Sequence, residues 1–262
     1  MTSVFLATWN VNSIRARLPI ILKWLKKNNP DIVLLQELKA KEEDIPRDEI
    51  EDLNYNFISK GQKSYNGVAI LSKYPVSDVN YALPNLEDNN QARYLEGWVN
   101  IENSGFRIAS IYAPNGNPIN SEKFDYKIDW LENFFLHVKE LKKYEKNLIL
   151  GGDFNICPSS LDAADEFLLQ NDAIYQKEAR TFYRKIINSG LYDCYRSVHQ
   201  EKPGFTYWDY GMAFKNNIGV RIDHFYLSSS ILDKCEDIFV DEKPRSFLKP
   251  SDHTPLCLKL KL

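Results

Sequence analysis

Short apolar runs recur along the whole chain, and polar or turn residues bound most of them. Residues 4–9, 32–35, 68–71, 108–112, 148–150, 225–227 and 256–262 each have the length of a strand. Helical patterns lie between some of them. Residues 14–27 place Leu18, Ile21, Leu22 and Leu25 three and four apart, with Ser13 in position to cap them. Residues 124–143 do the same with Ile128, Leu131, Phe135, Val138 and Leu141, and residues 166–187 have room for two more short helices. Strands and helices do not alternate strictly, and residues 68–112 read as consecutive strands, hence antiparallel. The pattern predicts an α/β protein in which two mixed sheets pack together with helices outside. Residues 84–91 (PNLEDNNQ) read as an exposed loop, and residues 229–250 carry no clear assignment. No linker-like tract or repeat interrupts the chain, so one domain over residues 1–262 is expected.

The 262 residues are 44% hydrophobic, enough for one large core, and 13% aromatic, which excludes a disordered chain. A net charge of −3 gives no overall basic field, so phosphate binding would need a local basic face or a metal ion. Cys157, Cys194, Cys235 and Cys257 are widely spaced and form no C-x-x-C pair, which argues against a zinc site or a disulfide framework. Reduced thiols suit a cytoplasmic protein. The first ten residues lack the charged and long apolar regions of a signal peptide, and no stretch has the apolar length of a membrane span.

The residues at the ends of the apolar runs carry the chemistry. The first run ends in Trp9-Asn10, the second in Gln36-Glu37, and the run from Ile108 in Tyr112-Ala113-Pro114-Asn115. The run from Leu148 leads into Gly151-Gly152-Asp153-Phe154-Asn155. Arg221-Ile222-Asp223-His224 opens one strand and Ser251-Asp252-His253 opens the last. Polar groups at several strand ends can converge on one crevice, and oxygen-rich side chains there suit a hard cation. Taken singly, each signal has a plainer reading: a turn residue for Asn10, a helix or strand end for Glu37, an Asx turn for Asp153 and Asn155. His224 reads as a packed strand residue, and His137 and His199 as non-catalytic.

Together, TWNVNSIRAR, LLQELKA, YNGVAILSK, IYAPNG, GGDFNI, FTYWDY, RIDHFYLSS and SDHTPL, in this order, strongly resemble the exonuclease III family of apurinic/apyrimidinic endonucleases, within the endonuclease/exonuclease/phosphatase superfamily. The resemblance runs from Thr8 to Pro255. It implies a DNase I-like, four-layered α/β sandwich and a Mg²⁺-dependent active site, with Mn²⁺ as an alternative. Glu37 matches the main metal-binding carboxylate, in a set with Asn10, Asp153, Asn155, Asp252 and His253. Asp153 matches the residue that activates water, and Asn155 the one that orients it. Tyr112 matches the tyrosine at the scissile phosphate, and His253 with Asp223 the phosphate-binding histidine and its orienting partner. The implied reaction is cleavage 5′ to an abasic site in duplex DNA, with 3′→5′ exonuclease and 3′-phosphatase or phosphodiesterase action on blocked 3′ ends. A monomer associated with the bacterial nucleoid through DNA is expected.

DNA contact is expected from Arg15, Asn115, Tyr207 and Trp208. Arg17 could also meet phosphate, although a solvated helix face is its plainer reading, and core packing is the plainer reading of Tyr207, Trp208 and Tyr210. Some relatives carry Trp just before R-I/L-D where this chain has Val220, which puts the lining of the sugar pocket in question. Two rivals stand beside this reading. One is a phosphatase or phosphodiesterase of the same superfamily acting on inositol phosphates, lipids or RNA. The other is a non-catalytic nucleic-acid-binding relative.

Overall fold

The computed structural model describes residues 2–84, 86 and 90–262. In chain order the elements are β1 (Ser3–Asn10), α1 (Ile14–Asn28), β2 (Ile32–Gln36), α2 (Asp48–Glu51), β3 (Asn56–Lys60), β4 (Val68–Ser72), β5 (Val76–Asn80) and β6 (Tyr94–Ile101). There follow β7 (Ser104–Tyr112), α3 (Glu122–Tyr144), β8 (Leu148–Asp153), α4 (Lys177–Asn188), β9 (Leu191–Asp193), α5 (Cys194–Val198), β10 (Asp223–Ser228), α6 (Ser229–Leu232), β11 (Cys235–Val240) and β12 (Leu256–Lys261). One sheet runs β11-β12-β1-β2-β4-β3 and the other β5-β6-β7-β8-β10-β9. Both are mixed: β1 with β2 and β7 with β8 are the parallel pairs.

Side-chain alternation builds four layers from these strands. In β1, Val4 and Leu6 face the other sheet, while Ala7 and Trp9 face α1; in β2, Ile32 and Leu34 face inward and Val33 and Leu35 outward. In the second sheet, Phe106, Ile108 and Ile149 meet that inner layer, and Ala109, Ile111, Leu148 and Leu150 pack under Trp130, Leu131 and Phe134 of α3 and Phe182 of α4. Strands covered on both faces read as continuous apolar runs, which is why the sequence shows them so plainly. Each such side chain contributes roughly 2 kcal/mol by leaving water, so this burial, far more than any single polar contact, sets the architecture.

The expected sandwich is the one observed, with local differences. Residues 166–187 form one helix, α4, preceded by two 3₁₀ turns at Glu166–Leu169 and Ala173–Tyr175. Asp165 and Asp172 cap those turns by accepting from the Phe167 and Ile174 N–H groups, which favours a tight turn over a second helix. Residues 68–112 are consecutive strands, but β4 belongs to the first sheet and β5 to the second, so the chain changes layer between them. β11 lies within the unassigned 229–250 stretch; its mixed sequence, CEDIFV, suits an edge strand with one buried position, Ile238. In the expected 84–91 loop, Pro84 and Asn90 are exposed; Asn85 and residues 87–89 lie outside the described residues. No helix among the described residues is long and apolar enough to cross a membrane.

Candidate active site

Six strand ends meet along one edge shared by the two sheets. The first sheet delivers Asn10 at the end of β1, Glu37 just after β2, and Asp252 and His253 before β12. The second delivers Tyr112 at the end of β7, Asp153 at the end of β8 and Asp223 at the start of β10. Directly beneath, between the sheets, Gln36 Nε2 donates to Ser110 Oγ (3.0 Å) and Thr8 Oγ1 (3.1 Å), and Ser110 Oγ donates to the Leu35 carbonyl (3.0 Å). A buried polar layer with every partner in place fixes the spacing of the two sheets where the site begins.

Backbone geometry aims the side chains. Glu37 and Asn155 both hold left-handed conformations, at φ 54° and 50°. A non-glycine residue there costs about 1 kcal/mol or more and persists only where its surroundings impose it. At Gly152 a Cβ would lie 2.0 Å from the Ile111 carbonyl oxygen, so the neighbouring strand excludes any side chain.

The Asn10 amide joins the two halves. Its Nδ2 donates to Glu37 Oε1 and to Asp153 Oδ2, both at 2.9 Å. Tyr112 Oη donates to the same Glu37 Oε1 (2.8 Å), and Lys39 Nζ lies 2.5 Å from Oε2. Asp153 Oδ1 accepts from the Asn155 N–H (2.9 Å). His253 Nδ1 is 2.8 Å from Asp223 Oδ2, so the ring donates there, and its Nε2 points at Asp153 Oδ2 from 3.7 Å. Asp153, Asp223 and His253 offer ligand atoms that all lie within 4.8 Å of one another.

Charge is unevenly matched in this cluster. Burial opposes protonation of His253, but Asp223 and Asp153 outweigh it and lift the imidazole to about 10. Burial and the nearby Asp223 raise the Asp153 carboxyl, against the pull of His253. Burial would raise Glu37 too, yet Lys39, Asn10 and Tyr112 hold it below the usual carboxylate range. Burial, Glu37 and Asp153 keep the Tyr112 phenol protonated far above neutral pH. Asp223 Oδ1 is buried without a hydrogen-bond partner among the described residues. Oxygen donors with a surplus of negative charge and an orphaned carboxylate oxygen fit a hard divalent cation, and the sulfur and paired imidazoles of a zinc site are absent from the group.

Other expected residues fall in different places. Asp252 is half-buried at the rim, its Oδ1 accepting from Asn12 Nδ2 (3.0 Å) and Ser251 Oγ (3.3 Å). Asn115 Nδ2 reaches Asn155 Oδ1 at 3.4 Å, beside the site. Arg15 is exposed on the first turn of α1. Arg17 is not the solvated residue expected: it donates to the Asn12 carbonyl (2.6 Å), the Tyr210 hydroxyl (2.9 Å) and the Pro250 carbonyl (3.2 Å), clamping two rim loops. The Tyr207 ring packs 5.0 Å from His253. Trp208 requires a correction as a direct DNA contact. Only 1% of it is exposed, it packs against Phe205 and Phe214, and Nε1 donates to Asn217 Oδ1 (3.2 Å), so it supports the wall from behind. Val220 is buried there as well, paired through its backbone with Tyr207.

Several residues escaped the sequence reading. Asn12 links Lys39 (2.7 Å), Asp252 and Tyr210 (2.8 Å). The Thr206 hydroxyl accepts from the Ile222 and Asp223 N–H groups (3.2 Å each). A cleft of about 730 Å³ beside Glu37 and Tyr112 is lined in part by Lys39, Tyr65, Arg93, Asn117 and Lys123, with the Arg93 guanidinium 5.0 Å from the Tyr112 ring centre. Asn12, Lys39, Tyr65 and Thr206 lie inside the ordered motifs and so carried a signal; Arg93 sits in a stretch without one.

The endonuclease/exonuclease/phosphatase family profile matches residues 7–253. The chain is 29% identical to exodeoxyribonuclease III of Haemophilus influenzae over 266 aligned residues, covering 97% of this chain and 98% of that protein. A Neisseria structure described as a 3′ phosphatase bound to a product DNA hairpin superimposes with a TM-score of 0.94 at 34% identity, covering 99% and 100% of the two chains. An apurinic/apyrimidinic endonuclease structure from Archaeoglobus fulgidus does so with 0.92 at 33% identity and the same coverage. The chain therefore belongs to the endonuclease/exonuclease/phosphatase family, in its exonuclease III branch of apurinic/apyrimidinic endonucleases.

Proposed function

We propose that this DNA-repair nuclease hydrolyses the phosphodiester 5′ to abasic sites in duplex DNA with Mg²⁺ as its ion, and also trims or dephosphorylates blocked 3′ ends. The observation that carries the reading is the Asn10 amide spanning Glu37 and Asp153, with His253 between Asp153 and Asp223 on the other side. One crevice thus holds a base, an acid-form imidazole, a phenol and a surplus of carboxylate.

Glu37, Asn10 and Asp252 would hold the ion, with Asp153, Asn155 and His253 around it. When bound, Mg²⁺ offsets the negative charge of the phosphate and of the departing 3′ oxygen. The chain's own groups do the rest. Asp153, held by Asn10 on one oxygen and by the Asn155 N–H on the other, takes the proton of the attacking water. A carboxyl lifted toward neutrality by burial is a better base than an ordinary aspartate and still ionises at working pH. His253 donates Nε2–H to a phosphate oxygen, while Asp223 fixes the ring and favours its charged form. Tyr112, protonated throughout, offers its hydroxyl where charge accumulates. The products are a 3′-hydroxyl and a 5′ deoxyribose-phosphate end.

The 3′-phosphatase arm has its own support in the Neisseria likeness, because one phosphate-cleaving centre serves both bonds. The enzyme is read as a monomeric single domain over residues 1–262, acting in the cytoplasm at the nucleoid. Incubation of the purified protein with a synthetic abasic duplex, a 3′-phosphate duplex and an inositol polyphosphate, each with Mg²⁺ or EDTA, tests the reading. Cleavage of both DNAs, abolished by EDTA, is expected; hydrolysis of the inositol phosphate alone would overturn it.

A further inference from the structure

Lys127, in the second turn of α3, has no exposed surface. An ammonium taken out of water is tolerated only where protein groups replace its hydration. Here two backbone carbonyls do so: Nζ donates to the Asn115 carbonyl (2.9 Å) and to the Asn155 carbonyl (2.6 Å). These acceptors lie in the loops that follow β7 and β8, the two parallel strands whose ends carry Tyr112 and Asp153. Gly116, at φ 87°, lets the lysine stem pass, since a Cβ there would lie 2.5 Å from Lys127 Cδ.

The two carbonyls belong to residues that aim the site. Asn155 holds its left-handed backbone while its N–H donates to Asp153 Oδ1 (2.9 Å) and its Nδ2 donates to the Ala113 carbonyl (2.9 Å). A backbone in that region drifts toward commoner conformations unless something outside it holds on. Relaxing φ and ψ at Asn155 would shift the preceding peptide unit, whose N–H holds Asp153, relative to the following unit, whose carbonyl Lys127 holds. Lys127 grips the carbonyl of this same residue and simultaneously that of Asn115, whose side chain reaches Asn155 Oδ1. An apolar helix residue such as methionine could fill the space but offers no donor to the two carbonyls.

We propose that Lys127 is a positioning residue for the hydrolysis, tying the loops after β7 and β8 together so that Asp153 and Asn155 stay aimed at the phosphate. The inference rests on the nuclease reading above and adds a residue that acts through others without touching substrate. It differs from a purely structural lysine in one measurable respect: its loss should act through Asn155.

The test is a double-mutant cycle of Lys127→Met and Asn155→Ala, reading turnover on abasic duplex, duplex affinity in EDTA, and the thermal midpoint. Lys127→Met should lower kcat about 100-fold while shifting the Kd in EDTA by less than about 3-fold, as expected for lost alignment with binding retained. In the Asn155→Ala background, which loses the side-chain bonds to Ala113 and Asn115 that hold the same two loops, the same change should cost clearly less than about 100-fold, because neighbours in one network are not additive. Lys127→Arg should recover most of the turnover, and if the methionine variant lacks a cooperative melt, Lys127→Gln takes its place in the cycle against Asn155→Ala. Unchanged kcat, or losses that multiply fully in the double variant, would overturn the proposal. Wild-type protein that leaves every DNA substrate intact would instead overturn the nuclease reading and this role with it.

Discussion

Arg221, Ile222, Asp223 and His224 are neighbours in sequence, yet they feed two buried charged clusters of opposite character. On one side Arg221 donates to Asp162 Oδ1 (2.6 Å) and Asp193 Oδ1 (3.1 Å), Arg196 joins Asp162 (2.6 Å), and His224 accepts from Arg221 (3.0 Å) while donating to the Ile156 carbonyl (2.9 Å). Two cations face two carboxylates, and the imidazole sits neutral between them. On the other side Glu37, Asp153 and Asp223 have Lys39 and the His253 imidazolium as their ion-pair partners among the described residues, with Asp252 at the rim. A balanced cluster braces the fold. An unbalanced one is incomplete until something positive or something to protonate arrives. Both histidines are buried, and burial disfavours the charged form in each; at His224 burial, helped by Arg221, prevails and holds it down to about 4, whereas at His253 Asp223 and Asp153 outweigh burial and lift it to about 10.

Three measurements probe this contrast between the clusters. The largest effect belongs to the unbalanced one. Asp153→Asn should reduce turnover on abasic duplex by about 10³-fold or more, since it removes the base, yet leave the thermal midpoint unchanged or raised because it relieves surplus charge. Near wild-type cleavage would remove Asp153 as the base. The balanced cluster should show the reverse. Arg221→Met leaves Asp193 buried without its counter-ion and Asp162 with Arg196 alone, which costs roughly 3–5 kcal/mol. At a few degrees per kcal/mol for a chain of this size, the melting midpoint should fall by about 10 °C. An unchanged midpoint would deny Arg221 its bracing role.

The smallest effect is a pH difference read by NMR on the two imidazoles in chelator. His224 should resist protonation until about pH 4, and His253 should keep its proton to about pH 10. The signs of the linked stabilities are opposite. His224 is lowered on folding, so its contribution is present above the unfolded value near 6.5 and fades as pH falls toward 4. His253 is raised, so its contribution is present below about 6.5 and is lost as pH climbs through 10. Similar midpoints for both rings would erase the distinction between the clusters.

How far the site was legible depends on the same physics. Asn10, Glu37, Tyr112, Asp153 and Asp223 could be picked out because each stands where an apolar strand stops or starts, and that boundary is written in the residues themselves. Arg17 was misjudged because its partners Tyr210 and Pro250 come from far along the chain, and the two readings open for Trp208 were decided for packing only by the loop that brings Phe214 and Asn217 to it. Lys127 reads as one more charge on an amphipathic helix, and only the crossing of α3 over the β7 and β8 loops turns it inward.

Apolar periodicity, a local property, sufficed for the strands, the main helices and the packing of two sheets between helices, and the ordered motifs sufficed for the family. Which carboxylates share an amide, which histidine is charged and which lysine is buried emerge only when the chain is folded. These depend on distances of 3–4 Å between residues as far apart as Asn10 and Asp153, and on water excluded from between them. Electrostatic energy in a low-dielectric interior changes steeply over such distances, whereas the sequence records only order along the chain.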